Sequence, residues 1–99
     1  MKILFKIFIS FFALSLFSTA NAVTIKWLHL YADSAKEMPS ILKAVEEYEA
    51  KTGNTVELQY LENEAFKAKL PTMLQSNDRP DIFYSWGGGV MYDQARAGF

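Results

Sequence analysis

The chain has 99 residues, with eleven acidic and ten basic side chains and no cysteine. Without cysteine it can form no disulfide, and we expect no lipid anchor of the bacterial lipoprotein type, because that anchor needs a cysteine at the cleavage site. The charge balance leaves no basic patch to contact phosphates, which argues against a nucleic-acid partner.

The first 22 residues have the pattern of a secretory signal peptide. Lys2 and Lys6 form a basic start, residues 7–17 are almost wholly apolar, and Ala20-Asn21-Ala22 is a small-residue cleavage site. The apolar run is well short of the ~20 residues that span a bilayer. We therefore predict that the mature protein begins at Val23, is soluble and is located in the periplasm.

The predicted mature part, residues 23–99, has eight basic and eleven acidic side chains and hence a net charge of −3. A domain of this size buries only about 60% of its unfolded surface, and small exported domains usually add disulfides. The sequence also ends at Phe99 with no closing element after a helical pattern. We expect it to be the N-terminal part of a longer protein.

The first two predicted elements are a strand and an amphipathic helix. Residues 23–30 are rich in β-branched and aromatic side chains, which favours a strand. Ser34 and Glu37 have the spacing of a capping box and predict a helix start. Pro39 must then lie in the first turn, and Gly53 is predicted to end the helix in a left-handed conformation. The apolar stripe of this helix consists of Met38, Ile41, Leu42, Val45 and Tyr48.

A second strand, a second helix and a third strand follow. Residues 55–61 alternate apolar and polar side chains, as a half-buried strand near a sheet edge does. Asn63 is predicted to cap a helix that Pro71 kinks or restarts. Pro80 is predicted to open a strand that delivers Trp86 into a glycine turn. The stripe of the second helix consists of Phe66, Leu70, Met73 and Leu74.

The predicted order of elements implies an α/β fold. Residues 92–97 indicate the opening of a third helix, so the order is β-α-β-α-β-α with short connections, which predicts a parallel sheet. The stretches that follow the three strands, residues 31–34, 62–64 and 86–89, should then gather at one sheet edge, where open α/β sheets bind ligands. Together they would form half a pocket.

Several kinds of site are disfavoured by the residues in these stretches. The run from Gly87 has Tyr92 where a dinucleotide fingerprint needs its third glycine, and no P-loop follows. His29 is the only histidine and no nucleophile elbow is present, so we expect it to be a partly buried strand residue with a satisfied hydrogen bond. Glu62 and Glu64 alone do not make a metal site. We expect no catalytic residue, no metal and no cofactor.

The remaining side chains suit a sugar. The apolar faces of sugars stack on aromatic rings, and their hydroxyls need carboxylate and amide partners. Helix capping is the alternative role for Asp33 and Asn63, and packing is the alternative for Tyr31 and Trp86. The predicted ligand-binding residues are Tyr31, Asp33, Asn63, Trp86, Gly87 and Gly88.

Short segments along residues 23–99 carry a family resemblance. They are Trp27-Leu28-His29, Tyr48 to Gly53, Val56-Glu57, Phe66-Lys67, Pro80 to Phe83, Trp86 to Gly89 and Ala97-Gly98. In this order they resemble the family 1 extracellular solute-binding proteins, the sugar-binding components of bacterial ABC importers. The most specific piece is the Pro-Asp-x-Phe strand with its Trp-Gly-Gly-Gly turn.

The resemblance implies two α/β lobes joined by a hinge, with the ligand held in the cleft between them and the lobes closing on binding. Residues 23–99 would be the first part of lobe one. By this analogy Trp86 stacks on a sugar ring and Gly87 and Gly88 bring backbone amides to its hydroxyls, while the other loops add Tyr31, Asp33 and Asn63.

The partners implied by the resemblance are a sugar or oligosaccharide ligand and the permease subunits of an importer in the inner membrane. The protein would be a monomer and would catalyse no reaction. Because half the cleft is missing, a product ending at Phe99 is expected not to bind its ligand with useful affinity.

Two alternatives stay open from the sequence. The ligand could be another small polar molecule, such as a glycerol phosphate, a polyamine or a metal chelate. A glycerol phosphate would need basic residues near the cleft, and residues 31–34 and 86–89 contain none; a polyamine would need more carboxylates than Asp33. The other alternative is a secreted α/β enzyme whose catalytic residues lie downstream of Phe99.

Overall fold

The computed structural model describes residues 21–99. Residues 1–20, which hold the basic start and the apolar run of the predicted signal peptide, lie outside the described residues. Among residues 21–99, no helix is both long and apolar enough to cross a membrane. Strands and helices alternate as predicted: β1 (Thr24–His29), α1 (Met38–Thr52), β2 (Thr55–Tyr60), α2 (Asn63–Leu74), β3 (Ile82–Phe83) and α3 (Gly89–Arg96).

The three strands form one parallel sheet in the order β2-β1-β3. The β1–β2 register runs from Thr24 opposite Thr55 to His29 opposite Tyr60. The short strand β3 pairs with β1 near its carboxyl end, where Trp27 lies opposite Ile82 and Leu28 lies opposite Phe83. The predicted parallel α/β fold is confirmed, and β2 lies at an edge of the described sheet, as its alternating pattern indicated.

The hydrophobic core lies between β1 and α2. Leu28, Phe66, Leu70 and Leu74 are buried and pack together, and Phe66 is fully buried. Side chains alternate across a strand, so Leu28 and Leu30 point to this side, which we call the core face. Around the cluster pack the half-buried side chains of Leu30, Leu61, Met73, Phe83 and Trp86.

The opposite side of the sheet carries α1, and we call it the open face. Trp27 and Tyr31 point to this side and line a concavity together with Ile41 of α1. Met38 is the buried residue of α1, whereas Leu42 is 52% exposed. The amphipathic stripe of α1 therefore covers the sheet only in part.

The start of α1 differs from the predicted capping box. Ser34 makes no cap: residues 33–37 form turns, in which the Ala35 amide donates to the Ala32 carbonyl (2.8 Å). The helix begins at Met38, and Glu37 precedes it without a side-chain hydrogen bond to the backbone. The physical reason is Pro39, whose ring would clash with the carbonyl four residues earlier in a longer helix. Its predicted place in the first turn is confirmed.

The other end of α1 matches the sequence. Gly53 has φ 73° and its amide donates to the Glu49 carbonyl (2.9 Å). This is the left-handed C-cap for which glycine is preferred. Lys51 in the last turn lies near the negative end of the helix dipole.

The predicted cap of α2 by Asn63 is wrong by one residue. Glu62 has extended backbone geometry, and its carboxylate accepts hydrogen bonds from the Glu64 amide (3.1 Å) and the Ala65 amide (3.4 Å). Asn63 is the first helical residue. Pro71 lies inside α2, which runs as one helix from Asn63 to Leu74, so the helix does not restart there.

The segment around β3 is shorter and more irregular than predicted. Asp81 fixes its start: the Asp81 amide donates to the Lys26 carbonyl (2.8 Å), and the Asp81 carboxylate accepts from the Lys26 amide (2.8 Å). The strand then ends at Phe83, so Trp86 lies three residues beyond it rather than at its end. Helix α3 begins at Gly89, earlier than the predicted residue 92.

Candidate functional site

The loops that follow the three strands lie at one edge of the sheet, because parallel strands bring their carboxyl ends together. The Leu61 amide donates to the His29 carbonyl (3.2 Å), which carries the β1–β2 pairing one residue past the end of β2. The predicted stretches 31–34, 62–64 and 86–89 are therefore on the same side of the fold. Their side chains nevertheless form two separate groups.

The first group is built around His29 at the end of β1. His29 is only 4% exposed, and its Nδ1 accepts a hydrogen bond from the Tyr31 amide (3.2 Å). The His29 and Tyr31 rings are stacked with centroids 6.1 Å apart, and the rings of Trp27 and Tyr60 lie at 6.1 and 6.2 Å. The expected strand histidine with a satisfied hydrogen bond is confirmed, although it is more deeply buried than expected, and it holds the half-buried Tyr31 in place.

The charge state of His29 follows from this surrounding. Burial lowers the pKa of His29 below its ordinary 6.5, because an imidazolium would lose its hydration, while the nearby carboxylate of Asp33 and a backbone hydrogen bond with Tyr31 act in the opposite direction without outweighing it. The hydrogen bond from the Tyr31 amide also requires an unprotonated Nδ1. His29 is therefore neutral at pH 7, and Asp33 is exposed beside it.

A concavity of about 500 Å³ opens next to this group on the open face. Tyr31 is the predicted binding residue that takes part in it; Asp33 is not among the residues around it. Its lining combines aromatic and aliphatic side chains with charged and hydroxyl groups. It is lined by Trp27, Tyr31, Lys36, Glu37, Ser40 and Ile41.

The second group is built around Trp86, which is half-buried. Its ring makes edge contacts with Phe66 (centroids 5.6 Å apart) and Tyr84 (5.3 Å), and the ammonium of Lys67 lies 5.5 Å from its centroid. Trp86 therefore packs against the core, which was the alternative role considered for it. Its role in stacking on a ligand stays a prediction.

Asn63 joins this second group through Glu64 and Lys67, which were not among the predicted binding residues. The Asn63 side-chain amide donates to Oε1 of Glu64 (2.9 Å), and the same oxygen accepts from the Lys67 ammonium (3.3 Å). We call the set of Asn63, Glu64, Lys67, Tyr84 and Trp86 the Trp86 surface. It presents an amide, a carboxylate, an ammonium and two aromatic rings.

The sequence contained part of the signal for Glu64 and Lys67. Residues three and four apart lie on one helix face, so the spacing places Asn63 and Lys67 together with Glu64. Their proximity to Trp86, however, depends on the side of the sheet on which α2 packs, and this could not be obtained from helix spacing.

Gly87 and Gly88 form the turn that leads from Trp86 into α3. Gly88 has φ 78° and ψ −137°, a conformation that side chains other than hydrogen disfavour. A Cβ at either glycine would meet no atom within 4 Å, so no neighbour in the described chain requires glycine there. Both are exposed, and the approach of a ligand to their amides stays a prediction.

The structure thus places the six predicted residues in two clusters. Tyr31 and Asp33 belong to the His29 group, and Asn63 and Trp86 belong to the Trp86 surface. Gly87 and Gly88 follow Trp86 directly in the chain. Within residues 21–99 no hydrogen bond or ring contact joins the two clusters. No group of three or more potential metal-ligating side chains occurs in this part of the chain.

Comparison with known proteins gives one family. The model of the family described as bacterial extracellular solute-binding protein matches residues 31–99, which is 69 of the 99 residues. The match begins at Tyr31 and includes both clusters of predicted binding residues. A search of curated proteins gives no match. The extent of the family match, together with the parallel α/β order of the elements, shows that the chain belongs to the bacterial extracellular solute-binding proteins.

Proposed function

We propose that this protein binds a sugar or oligosaccharide in the periplasm and delivers it to the permease subunits of an ABC importer. Solute binding outside the cytoplasm follows from the family; the sugar and the importer are the proposal. The observation that carries it is the Trp86 surface, where a half-exposed indole is surrounded by hydrogen-bonding groups.

Two aromatic side chains contact the Trp86 ring. Phe66, which is fully buried, contacts it edge-on, and Tyr84 contacts it at a second position. An aromatic ring fixed in this way loses little conformational freedom when a ligand stacks on it, which favours affinity. Fixed aromatic platforms suit the flat C–H faces of sugar rings.

Polar groups suited to hydroxyls surround this ring. Asn63 supplies an amide, Glu64 a carboxylate acceptor and Lys67 an ammonium donor, and all three are exposed. Sugar hydroxyls both donate and accept hydrogen bonds, so a mixed set of this kind can fix their orientation. In the proposal, the amides of Gly87 and Gly88 contact the same sugar.

Tyr31 and Asp33 complete the proposed site from the β1 loop. Residues 1–22 are a cleaved signal peptide in this proposal, and residues 23–99 are the first part of lobe one of a monomer that closes a cleft around its ligand. In this proposal the protein binds and delivers its solute and carries out no reaction.

The test is a titration of the full-length protein with a panel of mono- and oligosaccharides, in which calorimetry and tryptophan fluorescence measure binding. Trp86→Leu keeps an apolar side chain on Phe66 but removes the flat ring. We expect it to weaken binding by about 10- to 100-fold, in line with the loss of one central aromatic anchor. Trp27→Phe, on the other face of the sheet, is the matched control and should bind as the parent does.

Two results would contradict the proposal. If Trp86→Leu, folded according to its circular dichroism, binds as tightly as the parent, Trp86 only packs and the site is elsewhere. If no saccharide of the panel binds the parent protein, the solute is not a carbohydrate.

A further inference from the structure

We propose that Lys67 makes the Trp86 surface selective for acidic saccharides, meaning sugars that carry a carboxylate or a phosphate. This inference rests on the proposed function, because it assigns a solute class to the same site. It comes from the position of a cation over the ring on which a sugar would stack.

The ammonium of Lys67 occupies that position in the ligand-free chain. It lies 5.5 Å from the Trp86 ring centroid and 3.3 Å from Oε1 of Glu64, and the Lys67 side chain is 46% exposed. A sugar ring that stacks on this part of the indole must displace the ammonium. The displaced cation then lies at the margin of the bound sugar.

Displacement is easy, because both contacts of the ammonium are weak. An exposed cation–π contact and an exposed ion pair each contribute little. A neutral sugar that breaks them offers the ammonium only hydroxyl partners. An acidic group on the sugar instead offers a charge-assisted hydrogen bond, which is shorter and stronger. The same displacement therefore favours an acidic sugar over its neutral counterpart.

The two carboxylates at the start of α2 keep other partners when Lys67 moves. Glu64 retains the hydrogen bond from the Asn63 side chain (2.9 Å). Glu62 retains the amides of Glu64 and Ala65. In this arrangement Glu64 holds the ammonium in place until the acidic group of the ligand replaces it.

Lys67 also bears on whether the site can hold an anionic ligand. Residues 31–34 and 86–89 contain no basic side chain, which disfavoured a phosphate-bearing solute on sequence grounds. Lys67 reaches the Trp86 ring from α2 rather than from a loop after a strand. The basic group that an anionic solute requires is thus present at the site.

The experiment titrates the full-length protein by calorimetry with matched sets of probes. Each set contains a neutral sugar, its uronate and its 6-phosphate, built on glucose, galactose and mannose, with neutral and uronic disaccharides added. In at least one set we expect the acidic member to bind about tenfold or more tightly than the neutral one. Higher salt should reduce that preference.

Three variants assign the preference to Lys67. Lys67→Met keeps the apolar stem and removes the charge, so the acidic and neutral members of a set should bind with similar affinity. Lys67→Arg should restore the preference. Lys69→Met removes an exposed charge from the same helix and should leave the preference unchanged.

The outcomes separate this inference from the proposed function. Selectivity for the uronate alone identifies a carboxylate ligand, and selectivity for the 6-phosphate alone identifies a phosphorylated sugar; either supports the inference. Neutral sugars that bind as well as acidic ones, or a preference that persists in Lys67→Met, overturn it and leave the proposed function standing. If no probe binds, both are wrong.

Discussion

On the core face of the sheet, α2 packs Phe66, Leu70 and Leu74 against Leu28, and all four side chains are buried. On the open face, α1 buries Met38 but leaves Leu42 52% exposed, and a concavity of about 500 Å³ is open to solvent beside Trp27 and Ile41. The Trp86 surface lies on the well-packed core face. The loop after β1, residues 31–34, lies beside the less well-packed open face. The ring that we propose as the stacking platform is thus supported by the best-packed part of the described chain.

The starts of α1 and α2 show the same contrast, because only α2 has a side-chain cap. A glutamate precedes each of them, but only the Glu62 carboxylate accepts backbone amides, whereas Glu37 makes no such bond. Because Asn63 and Glu64 follow directly after Glu62, the cap also fixes the first polar groups of the Trp86 surface. The residues at the α2 start are therefore better ordered for binding than those at the α1 start.

The largest expected effect tests the difference in packing. Phe66→Ala should lower the free energy of unfolding of the full-length protein by about 3–5 kcal/mol, since it removes a fully buried ring and leaves a cavity. Ile41→Ala shortens a half-buried side chain on the open face and should lower the free energy of unfolding by about 1 kcal/mol. Urea denaturation measures both. Equal losses would show that the two faces are packed alike in solution.

A smaller effect tests the helix starts. Glu62→Ala removes a side chain that caps two amides and should cost about 1 kcal/mol. Glu37→Ala is the matched control and should stay within about 0.5 kcal/mol of the parent. The same urea titrations measure both variants. A larger loss of stability in Glu37→Ala than in Glu62→Ala would contradict this prediction.

Much of the fold could be predicted from the sequence, because it depends on local patterns. Alternation gave the edge strand β2, the three-and-four spacing gave α1 and α2, and Gly53 gave a helix end. The helix starts could not be predicted from spacing alone. Ser34 and Glu37 have the right separation, but Pro39 prevents a helix from including them.

Less of the candidate site could be predicted. Parallel strands explain why the three loops share an edge, so the region of the site follows from the order of the elements. The division into two clusters does not. It depends on which face of the sheet α2 covers, because this placement brings Lys67 to Trp86 on the face opposite Tyr31 and His29.

The smallest expected effect concerns His29, the polar side chain that is buried on the open face. Its lowered pKa means that the unfolded chain binds the proton more tightly, so the contribution of His29 to stability is complete above about pH 6.5 and is lost as the pH falls through the lower, folded-state pKa. The Asp33 carboxylate and the backbone hydrogen bond with Tyr31 oppose this loss, and the rings of Trp27, Tyr31 and Tyr60 surround His29. Protonation of Nδ1 would also break the hydrogen bond from the Tyr31 amide and release the β1 loop.

His29→Asn tests this account, because its side-chain oxygen can accept from the Tyr31 amide but does not titrate. Urea unfolding at about pH 7.5 and about pH 5.5 should show a larger loss of stability on acidification in the parent than in the variant. Carboxylates elsewhere contribute equally to both proteins, so the difference between them isolates His29. An identical pH dependence in parent and variant would mean that His29 is hydrated in solution. The open face would then be more loosely packed around β1 than the 4% exposure of His29 indicates.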